Sequence, residues 1–193
     1  IRTGIYDRNR TFYNTISPSM DILISSNLER MIFEFAERSD GEVRSYMNQL
    51  ANQGRYEVSD SVRARFQQNF AAGFCDDAQT KETIAKLWNE KHYLVDPHSA
   101  VAFHVLEEYR RESGDETPAI VVSTASPFKF CADVLDALGE QEIAQGTAVI
   151  DQLTEKTGVP APAPLAALKH FQPRAAKVAA REAMETAVLD FLK

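Results

Sequence analysis

Hydrophobic positions in the first part of the chain recur at the spacing of amphipathic helices. The first apolar face consists of Leu28, Met31, Ile32, Phe35 and Ala36. It predicts a helix that begins at Ser26 or Asn27 and ends near Arg38. The second face consists of Val43, Tyr46, Met47 and Leu50. It predicts a helix over 40–53, which Gly54 ends.

Later helices are marked by polar residues that suit a helix N-cap. Ser59 or Asp60 predicts a short helix ending near Gln68, and the acidic pair at 76–77 predicts another. Asp96 is followed by a proline at the first helical position, and the apolar spacing then continues to about residue 112. Gly114 is the predicted turn after this helix.

Two apolar runs are short enough to be strands. Residues 70–75 predict one short strand, and residues 119–122 predict a short buried strand. The second run breaks into small polar residues, after which Pro127 begins a predicted helix that Gly139 ends. Residues 1–16 mix polar and aromatic side chains without periodicity and predict a loop.

The pattern changes beyond Gly139. Residues 141–157 predict a moderately periodic helix, residues 159–165 contain three prolines and predict a non-helical link, and residues 174–193 predict an Ala-rich amphipathic helix. We therefore divide the chain into residues 1–139 and a helical extension, residues 140–193. The predicted fold class is α/β, with few short strands and flanking helices.

Composition and charge narrow the classes of function. The formal net charge is −7, which argues against a nucleic-acid partner. No apolar run approaches the roughly 20 residues that span a membrane, and residues 1–8 lack the apolar core of a signal peptide. The two cysteines lie in apolar surroundings, and no Cys/His spacing suits zinc. These features predict a cytoplasmic protein without a metal or membrane partner.

The most informative stretch is Val-Val-Ser-Thr-Ala-Ser-Pro-Phe-Lys-Phe at 121–130. A predicted strand runs there into a polar loop and then a helix N-terminus, which is where open α/β sheets bind anions. A plain turn with a serine cap is the better explanation of this segment when it is considered alone.

Two further stretches add to this one: Ser-Pro-Ser-Met-Asp-Ile-Leu-Ile-Ser-Ser-Asn-Leu-Glu at 17–29 and Asp-Pro-His-Ser-Ala-Val-Ala at 96–102. Together with Ser-Thr-Ala-x-Pro-x-Lys-Phe at 123–130, they closely resemble the C-terminal part of threonine synthase. The three motifs occur in the family's order and span most of residues 1–139. The chain after about residue 140 matches none of these three motifs.

The resemblance implies a helix-rich C-terminal portion of a pyridoxal 5'-phosphate (PLP) enzyme of fold type II, the tryptophan-synthase-β-like family. It implies that the whole enzyme converts O-phospho-L-homoserine and water to L-threonine and phosphate in amino-acid biosynthesis. The cofactor in such enzymes does the organic chemistry, and the protein tunes it.

The resemblance also assigns candidate cofactor-binding residues. Thr124 matches the family's hydroxyl partner of the PLP ring nitrogen, and Ser123 is the second choice. Thr124 could instead cap the helix from Pro127.

Substrate-binding candidates follow from the same motifs. Ser126 stands where the family commonly has histidine, so any titrating role of that histidine is in doubt here. Lys129 could reach a substrate phosphate, although an exposed solubilising lysine is equally compatible with the sequence. Ser19, Ser26 and Asn27 could offer groups to an anion, with ordinary helix capping as the alternative. His98 is a candidate for a site or a hinge, with a hydrogen-bonded structural histidine as the alternative.

No catalytic residue is assigned within the chain itself. A PLP lyase needs a lysine that forms a Schiff base, and in the family that lysine lies upstream of the segment matched here. We therefore expect the fragment alone to be inactive and to pack on missing N-terminal domains. Two alternatives remain: a threonine-synthase-like protein acting on another phosphorylated amino acid, and a non-catalytic interaction module that keeps the fold remnant.

The first 25 residues carry apolar side chains with weak periodicity. In a complete enzyme we expect them to pack on the missing domains. In the isolated chain we expect this segment to be poorly ordered or to associate with a second copy, because exposed apolar patches promote association.

Overall fold

The computed structural model describes residues 1–171 and 178–192. Its first half contains a two-stranded antiparallel sheet, β1 (Ile5–Asp7) and β2 (Arg55–Glu57), with Tyr6 opposite Tyr56. Helices α1 (Asn27–Phe35), α2 (Asp40–Gln53) and α3 (Asp60–Asn69) surround this sheet. Their buried core consists of Ile32, Ala36, Val43, Tyr46, Leu50, Tyr56, Val58, Val62 and Phe66.

The second half is built from α4 (Asp77–Lys91), α5 (Pro97–Ser113), α6 (Cys131–Ala137) and α7 (Ala148–Thr157). Helix α4 packs on both α5 and α6, and α6 packs on α7. The core between them consists of Ile84, Leu87, Val95, Ala100, Phe128, Cys131, Val134, Leu135, Ile150 and Leu153. The chain continues into α8 (Ala163–Ala166) and α9 (Met184–Phe191), with 3-10 turns at Pro18–Met20, Pro127–Lys129, Ala167–His170 and Arg181–Ala183.

The predicted helix-rich fold with few short strands is confirmed, and the predicted caps form most of the helix starts. Ser59 accepts a hydrogen bond from the Val62 N–H, and Asp76 forms a reciprocal capping box with Gln79. Gly54 and Gly114 end α2 and α5 in the left-handed conformation that glycine adopts easily.

Both strands predicted from apolar runs are wrong. Residues 70–75 and 119–122 form no strand, and Ile120 and Val122 are 92% and 71% exposed rather than buried. A strand requires a neighbouring strand for its backbone hydrogen bonds, and the only sheet among the described residues pairs β1 with β2.

The observed strands lie partly where a loop was predicted. Within residues 1–16, β1 pairs with β2, and the Tyr6 ring stacks on Tyr56 with centroids 5.3 Å apart. The Tyr6 hydroxyl donates to the Leu23 carbonyl and accepts from the Ser25 N–H. This part of the N-terminal segment therefore packs on its own chain. Association with a second copy stays a prediction.

Several helix boundaries also differ from the predicted ones. Helix α1 ends at Phe35 because Glu37 and Arg38 adopt positive φ angles, and the predicted helix at 127–138 begins as a 3-10 turn. The helix predicted at 141–157 begins only at Ala148, and α8 forms within the Pro-containing link. Residues 174–177 and 193 of the last predicted helix lie outside the described residues, and the helix proper begins at Met184.

The predicted boundary at residue 140 stays a prediction. Ile150 and Leu153 of α7 share one buried core with Leu135 of α6. Both cysteines are free thiols; Cys131 is buried, and Cys75 is only half-buried. No helix within residues 1–171 or 178–192 is long and apolar enough to cross a membrane.

Candidate functional site

The N-terminus of α5 is capped by a fully buried carboxylate. The Asp96 side chain is 0% exposed, and its Oδ1 atom accepts hydrogen bonds from the N–H groups of His98 and Ser99 at 3.0 and 3.4 Å. Pro97 occupies the first helical position, where its missing N–H costs nothing. The sequence Asp-Pro-His-Ser therefore places the His98 and Ser99 side chains in the first turn of the helix, where both are buried.

His98 holds a single tautomer because both of its ring nitrogens have defined partners. The backbone N–H of Ser19 donates to Nε2 at 3.1 Å, so Nε2 carries a lone pair. Nδ1 lies 3.1 Å from Asp96 Oδ1 and supplies the proton of that hydrogen bond. Assigned in this way, His98 is a neutral imidazole that joins the Pro18–Met20 turn to the start of α5.

A second set of contacts joins α5 to the segment 123–130. The Ser99 hydroxyl donates to Asp96 Oδ2 at 2.5 Å, and its oxygen lies 3.0 Å from the Ser123 hydroxyl oxygen. At the other end of the segment, the Phe130 ring packs against His98, with ring centroids 4.8 Å apart. Segment 123–130 is thus attached to α5 at both ends.

Between these two attachments, Phe128 is buried in the core of the second half of the molecule. Ser126 is the N-cap of the turn Pro127–Lys129, and its hydroxyl accepts from the Phe128 N–H at 3.3 Å. The capping role considered for Thr124 therefore belongs to Ser126.

Thr124 and Lys129 take no part in these contacts. Both side chains are exposed, and neither forms a hydrogen bond or an ion pair with any residue in the described ranges. The two side chains are therefore available to groups outside this part of the chain.

The turn at 17–21 is closed by its own hydrogen bonds. Asp21 accepts from the Thr15 N–H at 2.7 Å and from the Thr15 hydroxyl at 2.8 Å, and Ser17 is buried with its hydroxyl 3.1 Å from that of Thr15. Ser19 contributes its backbone N–H to His98, while its side chain is exposed. Asp21 therefore stabilises the turn from within, with both of its carboxylate oxygens engaged.

Ser26 and Asn27 are not joined to the His98 cluster by any hydrogen bond among the described residues. Ser26 precedes α1 in a helical conformation and makes no capping hydrogen bond through its side chain. The Asn27 Oδ1 atom accepts from Arg30, one turn further along the helix, at 2.7 Å. Both side chains are exposed, so the structure brings Ser19, His98 and Ser123 together but leaves these two residues at the start of α1.

A cavity of about 1000 Å³ lies beside the 17–21 turn. Its lining includes Ser17, Asp21, Tyr13, Phe74, Cys75 and Val101. Burial raises the pKa of the Cys75 thiol, and the hydrogen bond with the Thr80 hydroxyl opposes this effect. The 70–75 stretch was predicted as a strand, so its place in this wall was missed.

Sequence reasoning also missed Asp96 and Ser99 as members of the cluster. The Asp-Pro-His-Ser order identified Asp96 as a helix cap, and that local prediction is correct. The contacts with Ser19 and Ser123 cross 79 and 24 residues, and helix-capping rules describe only neighbours in sequence.

Comparisons with known proteins show which proteins the chain is similar to. Residues 99–188 match the family described as "Threonine synthase, C-terminal". This match supports a threonine synthase C-terminal part. The chain is 34% identical over 152 residues to the threonine synthase of Saccharomyces cerevisiae, an alignment that covers 72% of this chain and 30% of the yeast protein. Human "Threonine synthase-like 1" is 36% identical over 145 residues, covering 74% of this chain and 19% of that protein.

Solved threonine synthases share the fold. The yeast enzyme superposes with a TM-score of 0.77 at 28% identity, covering 98% of this chain and 38% of that one. PLP-bound threonine synthase from Brucella melitensis superposes with a TM-score of 0.65 at 35% identity, covering 78% of this chain and 32% of that one. The chain spans 30% of the yeast protein's sequence and 19% of the human relative's, and it corresponds to the C-terminal part of a threonine synthase.

Proposed function

We propose that this chain is the C-terminal part of an enzyme that converts O-phospho-L-homoserine and water to L-threonine and phosphate with PLP. The observation that carries the proposal is the meeting of three distant motifs at the N-terminus of α5, which leaves the Thr124 hydroxyl free beside them. The PLP-bound relative of the same fold supports PLP as the cofactor.

The residues of this chain fit a hydroxyl partner for the PLP ring nitrogen. Bound PLP supplies an electron sink for carbanion chemistry, and a neutral hydroxyl partner keeps that sink weaker than a carboxylate would. Thr124 has an exposed hydroxyl without a partner in the described residues, whereas the Ser123 hydroxyl is already in contact with Ser99. Thr124 is therefore the preferred partner, and Ser123 is the second choice.

The substrate phosphate calls for positive charge and hydrogen-bond donors. Lys129 offers an ammonium group without a carboxylate partner in the described residues, and Ser126 lies on the same turn. The Ser126 hydroxyl cannot titrate near neutral pH, so it can orient a phosphate but not shuttle its proton as a histidine could. Lys129 and Ser126 are our first choices for phosphate contacts.

Other candidates have weaker support from the geometry. The exposed Ser19 side chain lies on the turn that His98 holds, and Ser26 and Asn27 lie at the positive end of α1. His98 is fully engaged by Ser19 and Asp96, which favours orientation of the turn over direct contact with substrate.

The covalent lysine is proposed to lie in another part of the enzyme. Lys81, Lys86, Lys156 and Lys169 each pair with a carboxylate. We therefore propose that the 193-residue chain alone is inactive and contributes one wall of the site, packed on N-terminal domains. The two free cysteines support a reducing compartment, for which we propose the cytoplasm.

An assay of the complete polypeptide tests the proposal. With PLP and O-phospho-L-homoserine we expect L-threonine and phosphate in equal amounts. The relatives named "Threonine synthase-like 1" favour a second candidate, a related enzyme acting on another phosphorylated amino acid. Phosphate release from other phosphorylated amino acids, with none from O-phospho-L-homoserine, would select that candidate. A complete polypeptide that binds no PLP would instead be a non-catalytic interaction module.

A further inference from the structure

Asp96 is the most completely buried charged group in the described part of the cluster. Its two oxygens serve different groups in the first turn of α5. Oδ1 accepts from the first-turn N–H groups of α5 and from His98 Nδ1, and Oδ2 accepts from the Ser99 hydroxyl. A buried carboxylate is tolerated only when hydrogen bonds compensate for its lost hydration, and these contacts supply that compensation.

The Oδ2 contact leads to a hydroxyl outside α5. Ser99 has one hydroxyl proton, and the carboxylate at 2.5 Å is a stronger acceptor than the Ser123 hydroxyl at 3.0 Å. The Ser99 hydroxyl is the donor in both contacts, so Asp96 Oδ2 and the Ser123 oxygen share its one proton, and the closer carboxylate has the larger share. Asp96 thus holds the Ser99 hydroxyl, and Ser99 in turn holds the Ser123 oxygen at 3.0 Å.

The Oδ1 contact affects the other end of segment 123–130, at Phe130. It holds the His98 ring, against which Phe130 packs at 4.8 Å. Thr124 follows directly after Ser123 and lies between the two points at which the segment is held. The position of the free Thr124 hydroxyl therefore depends on contacts that both lead back to one carboxylate.

We propose that Asp96 is a positioning residue for Thr124, acting through Ser99 and Ser123. This role rests on the function proposed above, in which Thr124 meets the PLP ring. Asp96 itself does not touch the cofactor. It fixes the loop so that the Thr124 hydroxyl needs no reordering when PLP binds.

The test uses the complete polypeptide and begins with PLP binding by the unaltered protein. If that protein binds no PLP, the proposed function fails, and the positioning role is then judged on the cofactor-free protein alone. There, hydrogen exchange at Phe128, Lys129 and Phe130, whose N–H groups are hydrogen-bonded within the segment, is compared between the unaltered protein and Ser99→Ala. We expect exchange to become about 3- to 10-fold faster, which corresponds to one lost hydrogen bond. Unchanged exchange in this segment would overturn the proposal whatever the result with PLP.

A double-mutant cycle separates coupling from independent effects when PLP binds. Ser99→Ala and Ser123→Ala should each weaken PLP binding by about 3- to 10-fold, and the double variant should lie within about twofold of either one. If the two effects multiply, the residues act independently, and the route from Asp96 to Thr124 through Ser99 is wrong.

Asp96→Asn provides a separate readout because asparagine remains a good helix N-cap. Its amide nitrogen donates and cannot accept a hydrogen bond, so either the Ser99 hydroxyl or His98 Nδ1 can no longer donate to residue 96. We expect PLP affinity to fall as in Ser99→Ala and the absorbance maximum of bound PLP to shift, with helix content unchanged. Ser39→Ala, which removes the hydroxyl cap of α2, is the matched control and should leave PLP affinity and absorbance unchanged. Equal spectra and affinities for Asp96→Asn and the control would overturn the positioning role.

Discussion

The backbone N–H of Ser19 donates a hydrogen bond to Nε2 of His98 at 3.1 Å, across 79 residues of sequence. This contact joins the turn at 17–21 to the start of α5, and it fixes the neutral tautomer of a histidine that is 5% exposed. His98 therefore works here mainly as an acceptor for the backbone, and Asp96 receives its single ring proton.

Replacing His98 should loosen this turn. His98→Ala leaves the Ser19 N–H without its acceptor and creates a cavity beside Phe130. We expect a loss of about 2–4 kcal/mol in the free energy of unfolding, measured with urea, and faster amide exchange at Ser19. The exposed His170→Ala serves as a control and should change stability by less than about 0.5 kcal/mol. Unaltered exchange at Ser19 in His98→Ala would mean that the contact does not hold the turn.

An isoleucine in the exposed run at 119–122 can be compared with an isoleucine in the buried core. Ile120 is 92% exposed and Ile84 is 0% exposed. In the 193-residue chain, Ile120→Thr should change the free energy of unfolding by less than about 0.5 kcal/mol, whereas Ile84→Thr should cost about 2–4 kcal/mol. In the complete polypeptide we expect Ile120→Thr to cost about 1–2 kcal/mol more, because the missing domains should cover it.

Chemical denaturation of both variants in both polypeptides measures this difference. Comparable losses for Ile120→Thr and Ile84→Thr in the short chain would show that residues 119–122 already pack on it. No added loss in the complete polypeptide would show that the missing domains leave this run exposed.

Asp133 provides a prediction about pH. Burial raises the pKa of this half-buried carboxyl above its ordinary 3.8, the nearby Lys81 ammonium opposes the shift, and Asp77 and Asp136 add to it. The folded chain therefore binds this proton more tightly than the unfolded chain. Ionisation of Asp133 therefore lowers the free energy of unfolding. This loss is absent well below pH 3.8, grows as pH rises through the raised pKa, and is complete at neutral pH.

Asp133→Asn removes that loss. Its free energy of unfolding, relative to the unaltered chain, should rise between acid and neutral pH when measured by urea denaturation across that range. Asp136→Asn is the matched control, because Asp136 lies 2.6 Å from Lys81 and should lose up to about 1 kcal/mol at neutral pH. A relative stability of Asp133→Asn that falls or stays flat with rising pH would contradict the assigned cause.

Local chemistry made much of the fold predictable. Asp76, Ser59 and Asp96 cap helices as their sequences indicate, because a cap involves residues only two or three positions apart. The strands were not predictable in this way. Ile120 lies in an apolar run with strong strand propensity, but a strand also needs a partner, and no described segment supplies one.

The same distinction applies to the candidate site. The three motifs were visible in the sequence, and so was the Asp96 cap. Their convergence was not, because it depends on long-range contacts such as that between Ser19 and His98. The sequence also left open whether Thr124 caps the turn after it; the structure assigns that cap to Ser126 and leaves Thr124 exposed.

The most direct measurement compares Thr124→Val with Thr11→Val in the complete polypeptide, using kcat/KM for O-phospho-L-homoserine and the absorbance of bound PLP. Both threonines are exposed, but only Thr124 lies beside the cluster formed by His98 and Ser123. Losing one hydrogen bond to a polarised ring nitrogen should cost about 1.5–3 kcal/mol, or about 10- to 150-fold in kcat/KM, with an altered PLP spectrum. Thr11→Val should match the unaltered enzyme. If Thr124→Val shows the same kcat/KM and the same spectrum as Thr11→Val, the placement of PLP against this segment is wrong.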